Sequence, residues 1–303
     1  PTRTGVQTFG SDGKVSTEDY EEIQEEGTFK DGKIVYQENG KGEDEYVVKA
    51  SNEEGAAVLR TGTQIYAKDG DIESDDYIET LEDGTRRDGF VKYGNDGKID
   101  TDEYKILGEG DKTLREGTTY YDSDGDIKRD VYSEQTEDGL RSGTVNYDTD
   151  GNKESENYTV EMNDNTTKVG TIEYNDAVEG QEPTIAKEKY TFTNANGTPC
   201  GEGSKVFNTE GDLTAEHSSR INSDGTRTTE DATYNPDTGK MLTQTKGMLN
   251  ETTGLSTSEN LTYDSEGKLD ARTYFSINTM TNERVNEEQD YVNGVIASSK
   301  YEK

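Results

Sequence analysis

The sequence has few of the residues that build deep cores, cross-links or catalytic sites. Its 303 residues include one cysteine, one histidine, four prolines and no tryptophan. A single cysteine excludes an intramolecular disulfide, and a single histidine excludes a site built from several histidines. No run of about 18 apolar residues occurs, so we predict no transmembrane helix. Hydrophobic residues make up only 27% of the chain, which is too little for the core of an ordinary globular domain.

Negative charge dominates what the sequence does contain. The chain has 66 acidic and 32 basic residues, which gives a formal net charge of −34. Nucleic acids and anionic membranes both attract lysine and arginine, so the charge balance predicts neither as a partner. It favours solubility, cations and basic partners instead. The same composition is typical of disordered chains, and only the order of the residues can decide between order and disorder.

A repeat of about 27 residues fixes the positions of the aromatic residues. One clear copy has the order Gly62, Tyr66, Gly70, Ile72 and Tyr77, and the spacing returns along the chain. All but one of the 19 tyrosines fall on the two aromatic positions of this repeat. A disordered chain would not need its aromatic residues at regular spacing, so we predict a folded repeat array. The first position holds Phe9, Tyr36, Tyr66, Tyr93, Tyr121, Tyr147, Tyr174, Phe207, Tyr234, Tyr263 and Tyr291, and the second holds Tyr20, Tyr46, Tyr77, Tyr104, Tyr132, Tyr158, Tyr190, Tyr274 and Tyr301.

The repeats divide the whole chain into units of one kind. We predict that residues 1–303 form a single array of about eleven units. An insertion near residues 175–189 lengthens one unit. The units diverge after about residue 230, where glutamate replaces the glycine that opens earlier units, at Glu230, Glu259 and Glu287.

Asp-Gly turns predict that each unit is a β-hairpin. Such a turn, for example Asp124 with Gly125, suits a tight connection because glycine supplies a positive φ and aspartate bonds its own backbone. Val145 and Tyr147 show the alternation of a half-buried strand. We predict an all-β fold, a repetitive antiparallel β-meander or hairpin array of about 22 strands, elongated and twisted. The alternative is a three-sided β-helix solenoid, because about 27 residues also fit one coil.

One pair of apolar positions leaves the buried face undecided. Ile127 and Tyr132 are five positions apart, so a regular strand would place them on opposite faces. Either a β-bulge lies between them or the sheet buries side chains on both faces.

Three of the turns contain the run Tyr-Asp-x-x-Gly. The run occupies residues 121–125, 147–151 and 263–267, and Leu269 follows the last copy. This pattern resembles the YD repeats of Rhs and teneurin-type proteins, and it is also similar to MORN-like repeat arrays. The resemblance implies a β-hairpin array that forms a shell or an extended sheet at the cell surface.

The sequence does not group residues for catalysis. His217 and Cys200 are each the only residue of their type, and no nucleophile stands beside a base in a readable arrangement. We expect Cys200 in a loop and His217 on a surface strand. Acidic residues are so frequent that no pair stands out as a glycosidase dyad. We therefore predict that the protein is not an enzyme and that it needs no cofactor.

The aspartate-rich turns are the candidate metal site. Asp122, Asp124 and Asp126 form the densest group of carboxylates, and Asp148 with Asp150 follows in the next unit. Since Ca²⁺ prefers oxygen ligands, one interpretation is weak Ca²⁺ binding that relieves the negative charge. The other interpretation is that these aspartates serve turn chemistry and solubility alone.

The regularly spaced tyrosines are candidates either for packing between hairpins or for contact with a ligand. Rows of exposed aromatic side chains often mark contact surfaces, whereas buried rows hold neighbouring units together. The clearest units supply Tyr66, Tyr77, Tyr93, Tyr104, Tyr121, Tyr132, Tyr147 and Tyr158.

Together these features predict a structural protein. We expect an extracellular or cell-surface segment or subunit of a fibre, sheath or stalk, which associates with itself into an oligomer or filament through unpaired edge strands. The alternatives are an adhesin-type binding module for a glycan or protein, and a shell fragment of a YD-repeat toxin. An exposed tyrosine face would favour the binding module, and pairing of terminal strands between copies would favour the fibre.

Overall fold

The regular structure is almost entirely β-strand. The structure, a computed structural model, describes residues 2–24, 27–178 and 180–303. That part of the chain contains no α-helix, only a 3₁₀ turn at Glu109–Asp111, and no helix there could cross a membrane. The 22 strands are β1 (Thr2–Phe9), β2 (Val15–Ile23), β3 (Phe29–Tyr36), β4 (Gly42–Lys49), β5 (Val58–Tyr66), β6 (Ile72–Thr80), β7 (Arg86–Tyr93), β8 (Ile99–Leu107), β9 (Thr113–Tyr121), β10 (Ile127–Gln135), β11 (Gly139–Tyr147), β12 (Lys153–Met162), β13 (Thr167–Tyr174), β14 (Ile185–Thr193), β15 (Pro199–Phe207), β16 (Leu213–Ile221), β17 (Arg227–Tyr234), β18 (Met241–Asn250), β19 (Leu255–Tyr263), β20 (Leu269–Asn278), β21 (Glu283–Val292) and β22 (Val295–Glu302).

Consecutive strands pair antiparallel. The chain divides into two compact units, residues 1–137 with 142–151 and residues 138–141 with 152–303. In the first unit each strand from β1 to β9 pairs with the strand that follows it. The same holds from β12 to β21 in the second unit. The predicted antiparallel meander is confirmed, and the β-helix alternative is wrong, because a β-helix stacks parallel strands.

Tight turns join the strands as the Asp-Gly pattern predicts. After β9 the N–H of Gly125 donates to the carbonyl of Asp122 at 3.1 Å, and the N–H of Asp122 donates to the carbonyl of Asp126 at 2.9 Å. Gly125 has a φ of 92°, which glycine adopts without the steric cost that a side chain would add. This closure fixes the register of the hairpin.

A β-bulge follows many of these turns and resolves the question of the buried face. In β10 the register shifts between Ile127 and Arg129, so that Lys128 is an extra residue. The shift places Ile127 and Tyr132 on the same face although they are five positions apart. Equivalent shifts occur near the start of β2, β6, β8, β14, β16, β18, β20 and β22.

The predicted insertion near residues 175–189 is a connection followed by the start of a strand. Residues 175–184 connect β13 to β14, and residues 185–189 belong to β14. Glu179 lies outside the described residues. Cys200 lies in β15, so its expected loop position is wrong. The preceding proline opens this strand, a position where its missing N–H is tolerated. The single array over residues 1–303 stays a prediction.

One face of each unit carries most of the buried side chains. Along β6, Asp75 and Tyr77 are buried whereas Asp76 and Ile78 are exposed, as the two-residue period of a strand requires. We call the buried side the tyrosine face. Its buried aromatic residues are Tyr20, Tyr46, Tyr77, Tyr104 and Tyr132 in the first unit and Tyr158 in the second.

Candidate functional site

The second-position tyrosines lie across glycines of neighbouring strands. In the first unit Tyr77 stands directly opposite Gly62 of β5 and Gly89 of β7. A methyl group at Gly89 would lie 2.3 Å from Cζ of Tyr77, and one at Gly62 would lie 2.7 Å from the hydroxyl oxygen of Tyr46. Glycine at these positions therefore leaves room for each ring to cross the next strand and reach the strand beyond it.

Beyond the glycine each tyrosine hydroxyl meets a buried carboxylate. The Tyr46 hydroxyl oxygen lies 2.9 Å from both carboxylate oxygens of Asp75, and Arg60 Nη2 donates to Asp75 Oδ2 at 2.6 Å. The same guanidinium donates from Nε to the Tyr46 hydroxyl at 2.9 Å and lies 3.7 Å from the centroid of the Tyr77 ring. The Asp75 side chain is 2% exposed, so these donors replace water around its charge. We call this group of tyrosine, glycine, basic residue and carboxylate a tyrosine cell.

The first unit repeats the tyrosine cell on successive strand pairs. In every copy the basic residue precedes the glycine by two positions, and the carboxylate precedes the next tyrosine by two. The hydroxyl lies 2.6 Å from its carboxylate in the Tyr20 cell, 2.9 Å in the Tyr77 cell and 3.0 Å in the Tyr104 cell. The four copies, in the order tyrosine, glycine, base and carboxylate, are Tyr20, Gly32, Lys30 and Asp44; Tyr46, Gly62, Arg60 and Asp75; Tyr77, Gly89, Arg87 and Asp102; and Tyr104, Gly117, Arg115 and Asp130.

The second unit contains a cell of the same kind in which glutamate takes the place of aspartate. Tyr158 crosses Gly170 and its hydroxyl donates to Glu188, which also accepts a hydrogen bond from Lys168 at 2.8 Å. The Lys168 ammonium lies 4.2 Å from the centroid of the Tyr190 ring. Burial acts to raise the pKa of Glu188, but the hydrogen bonds from Lys168 and Tyr158 outweigh it, and the pKa lies below its ordinary value.

After β15, the positions that hold tyrosine and glycine in the earlier strands hold other residues. Residues that stand directly opposite one another across the strands are now Gly203, Ser218, Glu230, Lys246 and Glu259. Glu259 pairs with Arg272 at 2.6 Å, and Glu230 accepts a hydrogen bond from Gln244, so polar contacts take the place of the ring-over-glycine contact in this part of the second unit.

Burial shifts the ionisation of the cell tyrosines. It raises the pKa of Tyr104 to about 12, although the hydrogen bond from Arg115 acts in the opposite direction. Burial likewise raises the pKa values of Tyr20, Tyr46 and Tyr77 above the ordinary value for tyrosine. The tyrosines of the cells are therefore held in their neutral, hydrogen-bond-donating form.

The raised pKa values predict a loss of stability in alkaline solution. Below a pH of about 10 tyrosine is neutral in both states, so the cells contribute fully. As the pH rises from there toward the pKa values of the folded protein, the unfolded chain releases protons first, and the free energy of unfolding falls. We expect tyrosinate absorbance to rise in step with loss of the β-sheet circular dichroism signal. Ionisation of all tyrosines near pH 10 in a protein that stays folded would contradict this.

The eight tyrosines predicted from the repeat fall into two sets. Those at the second position are 3–6% exposed, whereas those at the first position are half-buried. In the half-buried set the Tyr66 hydroxyl donates to Gln64 at 3.2 Å, and burial raises the pKa of Tyr66 to about 12. A contact role for this set stays a prediction. The buried set is Tyr77, Tyr104, Tyr132 and Tyr158, and the half-buried set is Tyr66, Tyr93, Tyr121 and Tyr147.

The predicted metal ligands lie in two tight turns. Asp122 Oδ1 accepts hydrogen bonds from the backbone N–H groups of residues 124–126 at 2.8, 3.1 and 3.1 Å, and these lower the pKa of Asp122. Asp148 Oδ1 accepts one from the N–H of Asp150 at 2.9 Å. Asp124 and Asp126 are exposed. Within residues 2–24, 27–178 and 180–303, no three such side chains are grouped to hold a metal ion, and Ca²⁺ binding stays a prediction.

The face opposite the tyrosine face forms a groove in the first unit. It has a volume of about 1130 Å³, and its lining includes Val6, Lys33, Glu45, Thr63 and Ile78. These side chains combine apolar surface with hydrogen-bonding groups and charges of both signs. The groove is therefore a concave surface of mixed chemistry on an otherwise solvent-facing side of the sheet.

The single histidine lies on a surface strand, as expected. His217 is on β16, and its Nδ1 lies 2.7 Å from Asp231 Oδ1 on β17. The two residues stand directly opposite one another, so the contact is a cross-strand pair of the sheet.

Comparison with known proteins gives the chain no family. No family model matches the sequence, and no curated protein matches it. Among solved structures it is similar to a chain in a crystal structure of TcdB2-TccC3-Cdc42, with 11% identity and a TM-score of 0.23, over 96% of this chain and 15% of that chain. It is also similar to a porin-like protein from Bacteroides uniformis, with 13% identity and a TM-score of 0.19, over 74% of this chain and 92% of that chain. The chain thus spans about 15% of the length of the first of these chains.

Proposed function

We propose that the chain is a non-enzymatic structural module of an extracellular or cell-surface assembly, and that its copies associate through β-strand edges. The observation that carries the structural role is the row of tyrosine cells, in which a tyrosine, a basic residue and a carboxylate from neighbouring strands pack and pair with one another. Every residue of β1 and of β22 is exposed. Val6 and Phe9 on β1 are 69% and 63% exposed, and Val295 and Tyr301 on β22 are 69% and 59% exposed. Strand edges with exposed apolar side chains favour pairing with a further strand.

The tyrosine cells support a structural role for the strands between these edges. The carboxylate of Asp75 accepts hydrogen bonds from Tyr46, Arg60 and Gln64. Side chains that could serve as acids, bases or ligands are here engaged in packing one strand against the next. A connected polar network of this kind gives rigidity where apolar residues are few. The net charge of −34 restrains lateral clumping.

Sedimentation velocity over a range of concentrations tests self-association. We expect species larger than a single chain, whose fraction grows with protein concentration. The same runs with millimolar Ca²⁺ or with chelator test whether the aspartate turns take part. Protease treatment of intact source cells tests the location, because a surface module is cleaved without lysis. A monomer at every concentration would contradict self-association.

A second candidate function is an adhesin-type module, favoured by the groove on the opposite face. Lys33, Glu45 and Thr63 offer hydrogen bonds beside the apolar surface of Val6 and Ile78, a combination that suits the polar edges and apolar faces of sugar rings. Screening against immobilised glycans tests it. Binding that Lys33→Ala and Ile78→Ala both abolish would support this function, and the absence of any binding would remove it.

A further inference from the structure

The groove on the face opposite the tyrosine face continues across the interior strands of the first unit. The stretch described above reaches Asp76 and Ile78 of β6, and a further stretch of about 600 Å³ leads from Asp76 to Val131 and Ser133 of β10. The backbone of the tyrosine and glycine positions forms the floor of both stretches, because the tyrosine side chains project to the other face. The groove therefore runs across the strands, in the direction in which the hairpins repeat.

One wall of the groove carries a carboxylate on every second strand. Each of these residues immediately precedes a second-position tyrosine, so it projects to the face opposite that ring. The register places them in one line, with Lys33, Thr63 and Phe90 on the strands between. Neighbouring strands lie about 4.8 Å apart, so successive carboxylates are spaced by roughly 9–10 Å. We call this line the carboxylate row, and it consists of Asp19, Glu45, Asp76 and Glu103.

Lysines of the same unit contact the two outer carboxylates of the row. Lys33 Nζ lies 3.5 Å from Asp19 Oδ1, and Lys92 Nζ lies 3.4 Å from Glu103 Oε1. The Lys92 ammonium also lies 5.6 Å from the centroid of the Phe90 ring, a distance at which the ring face attracts a cation. Both ends of the row thus already bind an ammonium group.

The two inner carboxylates have no such partner. Among the residues that the structure describes, the side chains of Glu45 and Asp76 form no ion pair or hydrogen bond, and both are exposed. Their strands, β4 and β6, are paired along both edges, so the groove is the surface from which a ligand reaches them. Acidic residues also outnumber basic ones in the lining of both stretches. The inner positions are therefore complementary to a ligand with positive charges about 9–10 Å apart.

Apolar and hydroxyl groups accompany the inner carboxylates. Val47 and Ile78 line the other wall with Thr61 between them, and Ile78 is 47% exposed. Thr63 and Phe90 stand on either side of Asp76 in the carboxylate row. Sugar rings combine apolar faces with polar edges, so this surface suits a sugar chain better than a simple polyamine, which has no hydroxyl groups to pair with the threonines.

We propose that the groove binds an extended β-1,4-linked polysaccharide with free amino groups, a polymer of glucosamine, whose ammonium groups pair with Glu45 and Asp76. One sugar of such a chain is about as long as the distance between two strands, and each sugar is turned by half a rotation relative to the last. Amino groups on the same side thus return at every second sugar, in step with the carboxylate row. The inference rests on the second candidate function and deepens it by naming the class of glycan.

Calorimetric titration with three hexasaccharides tests the class of ligand. The probes are β-1,4-linked hexamers of glucosamine, of N-acetylglucosamine and of glucose, and in mildly acidic buffer only the first is positively charged. We expect the glucosamine hexamer to bind about 5- to 20-fold more tightly than the other two, as two exposed ion pairs allow. This difference should shrink as salt is added, because salt screens exposed charges.

A paired variant tests the two inner carboxylates. Glu45→Gln with Asp76→Asn removes both charges and keeps the size of the side chains, and we expect the glucosamine hexamer to bind about 5- to 20-fold more weakly. Glu54→Gln with Glu82→Gln is the matched control, because both residues are exposed and lie in connections outside the groove. The control makes the same change in net charge, and its affinity should stay within about 2-fold of the parent's.

The outcomes separate this inference from the function on which it rests. If the neutral hexamers bind as tightly as the glucosamine hexamer, the charged class is overturned while glycan binding stands. If none of the three binds, both are overturned. Equal affinity of the parent and the Glu45→Gln, Asp76→Asn variant for the glucosamine hexamer would overturn the assigned carboxylates. Hexalysine that binds as tightly as the glucosamine hexamer would show that the groove recognises charge alone, and would overturn the polysaccharide as its ligand.

Discussion

Gly89→Ala is expected to lower the free energy of unfolding by about 2–3 kcal/mol, the upper part of the range for overpacking a filled site. The added methyl group would lie 2.3 Å from Cζ of Tyr77, a residue that is only 3% exposed. The ring must therefore move, and its hydrogen bond to Asp102 at 2.9 Å lengthens with it. Alanine also restricts the unfolded chain, which offsets part of the loss. Urea unfolding followed by circular dichroism measures the change.

Two controls isolate the contact between ring and glycine. Gly247→Ala places its methyl group against the hydroxyl of Thr229 alone at close range, and rotation of that side chain can relieve the contact, so we expect a loss below about 1 kcal/mol. In a Tyr77→Ala background, Gly89→Ala should cost little, because the ring that opposes the methyl group is gone. Equal losses in both backgrounds would show that the glycine matters for its backbone and not for the ring.

The strand order and the turns could be predicted because they depend on neighbours in the sequence. Asp124 and Gly125 carry the turn in adjacent positions, and the turn then sets the register of the flanking strands. The bulge at Lys128 could be named only as one of two options. Parity showed that Ile127 and Tyr132 conflict with a regular strand, but a count of positions cannot distinguish an extra residue from a second buried face.

The tyrosine cell was missed because its members come from different strands. Tyr46 and Asp75 are 29 positions apart, and Tyr46 and Arg60 are 14 apart. Which carboxylate meets which hydroxyl depends on the register of three strands together. A local signal was nevertheless present, since an acidic residue stands two before the tyrosine and a basic residue two before the glycine. Charged residues make up 32% of the chain. An acidic or basic residue at a given spacing is therefore common by chance, and a pattern of two such residues does not stand out.

The cell also explains how so few apolar residues hold an ordered sheet. Each ring buries its apolar body over a glycine and keeps its polar tip paired with a carboxylate, so one tyrosine spans three strands. The basic residue serves two neighbouring cells, because Arg60 pairs with Asp75 in one and lies over the Tyr77 ring of the next. Nearest-neighbour contacts of this kind replace a central core, as in other repeat proteins.

Asp75→Ala is expected to lower the free energy of unfolding by about 3 kcal/mol, the lower end of the range for breaking a buried ion pair. The change leaves the Arg60 guanidinium and the Tyr46 hydroxyl without the carboxylate that both contact. The lower end applies because the Arg60 side chain keeps 29% of its surface exposed, and water can solvate part of the charge. Urea unfolding of parent and variant measures the difference.

The matched control removes an aspartate from the same unit but from the opposite face. Asp19 lies 3.5 Å from Lys33, and the two side chains are 59% and 55% exposed, so Asp19→Ala should cost less than about 1 kcal/mol. The two variants make the same change in net charge, and any general relief of the −34 repulsion therefore acts on both. The difference between the two losses then measures how much the buried cell contributes to the free energy of unfolding. Equal losses would mean that the cells add no more than surface pairs do and that the backbone ladder alone holds the sheet.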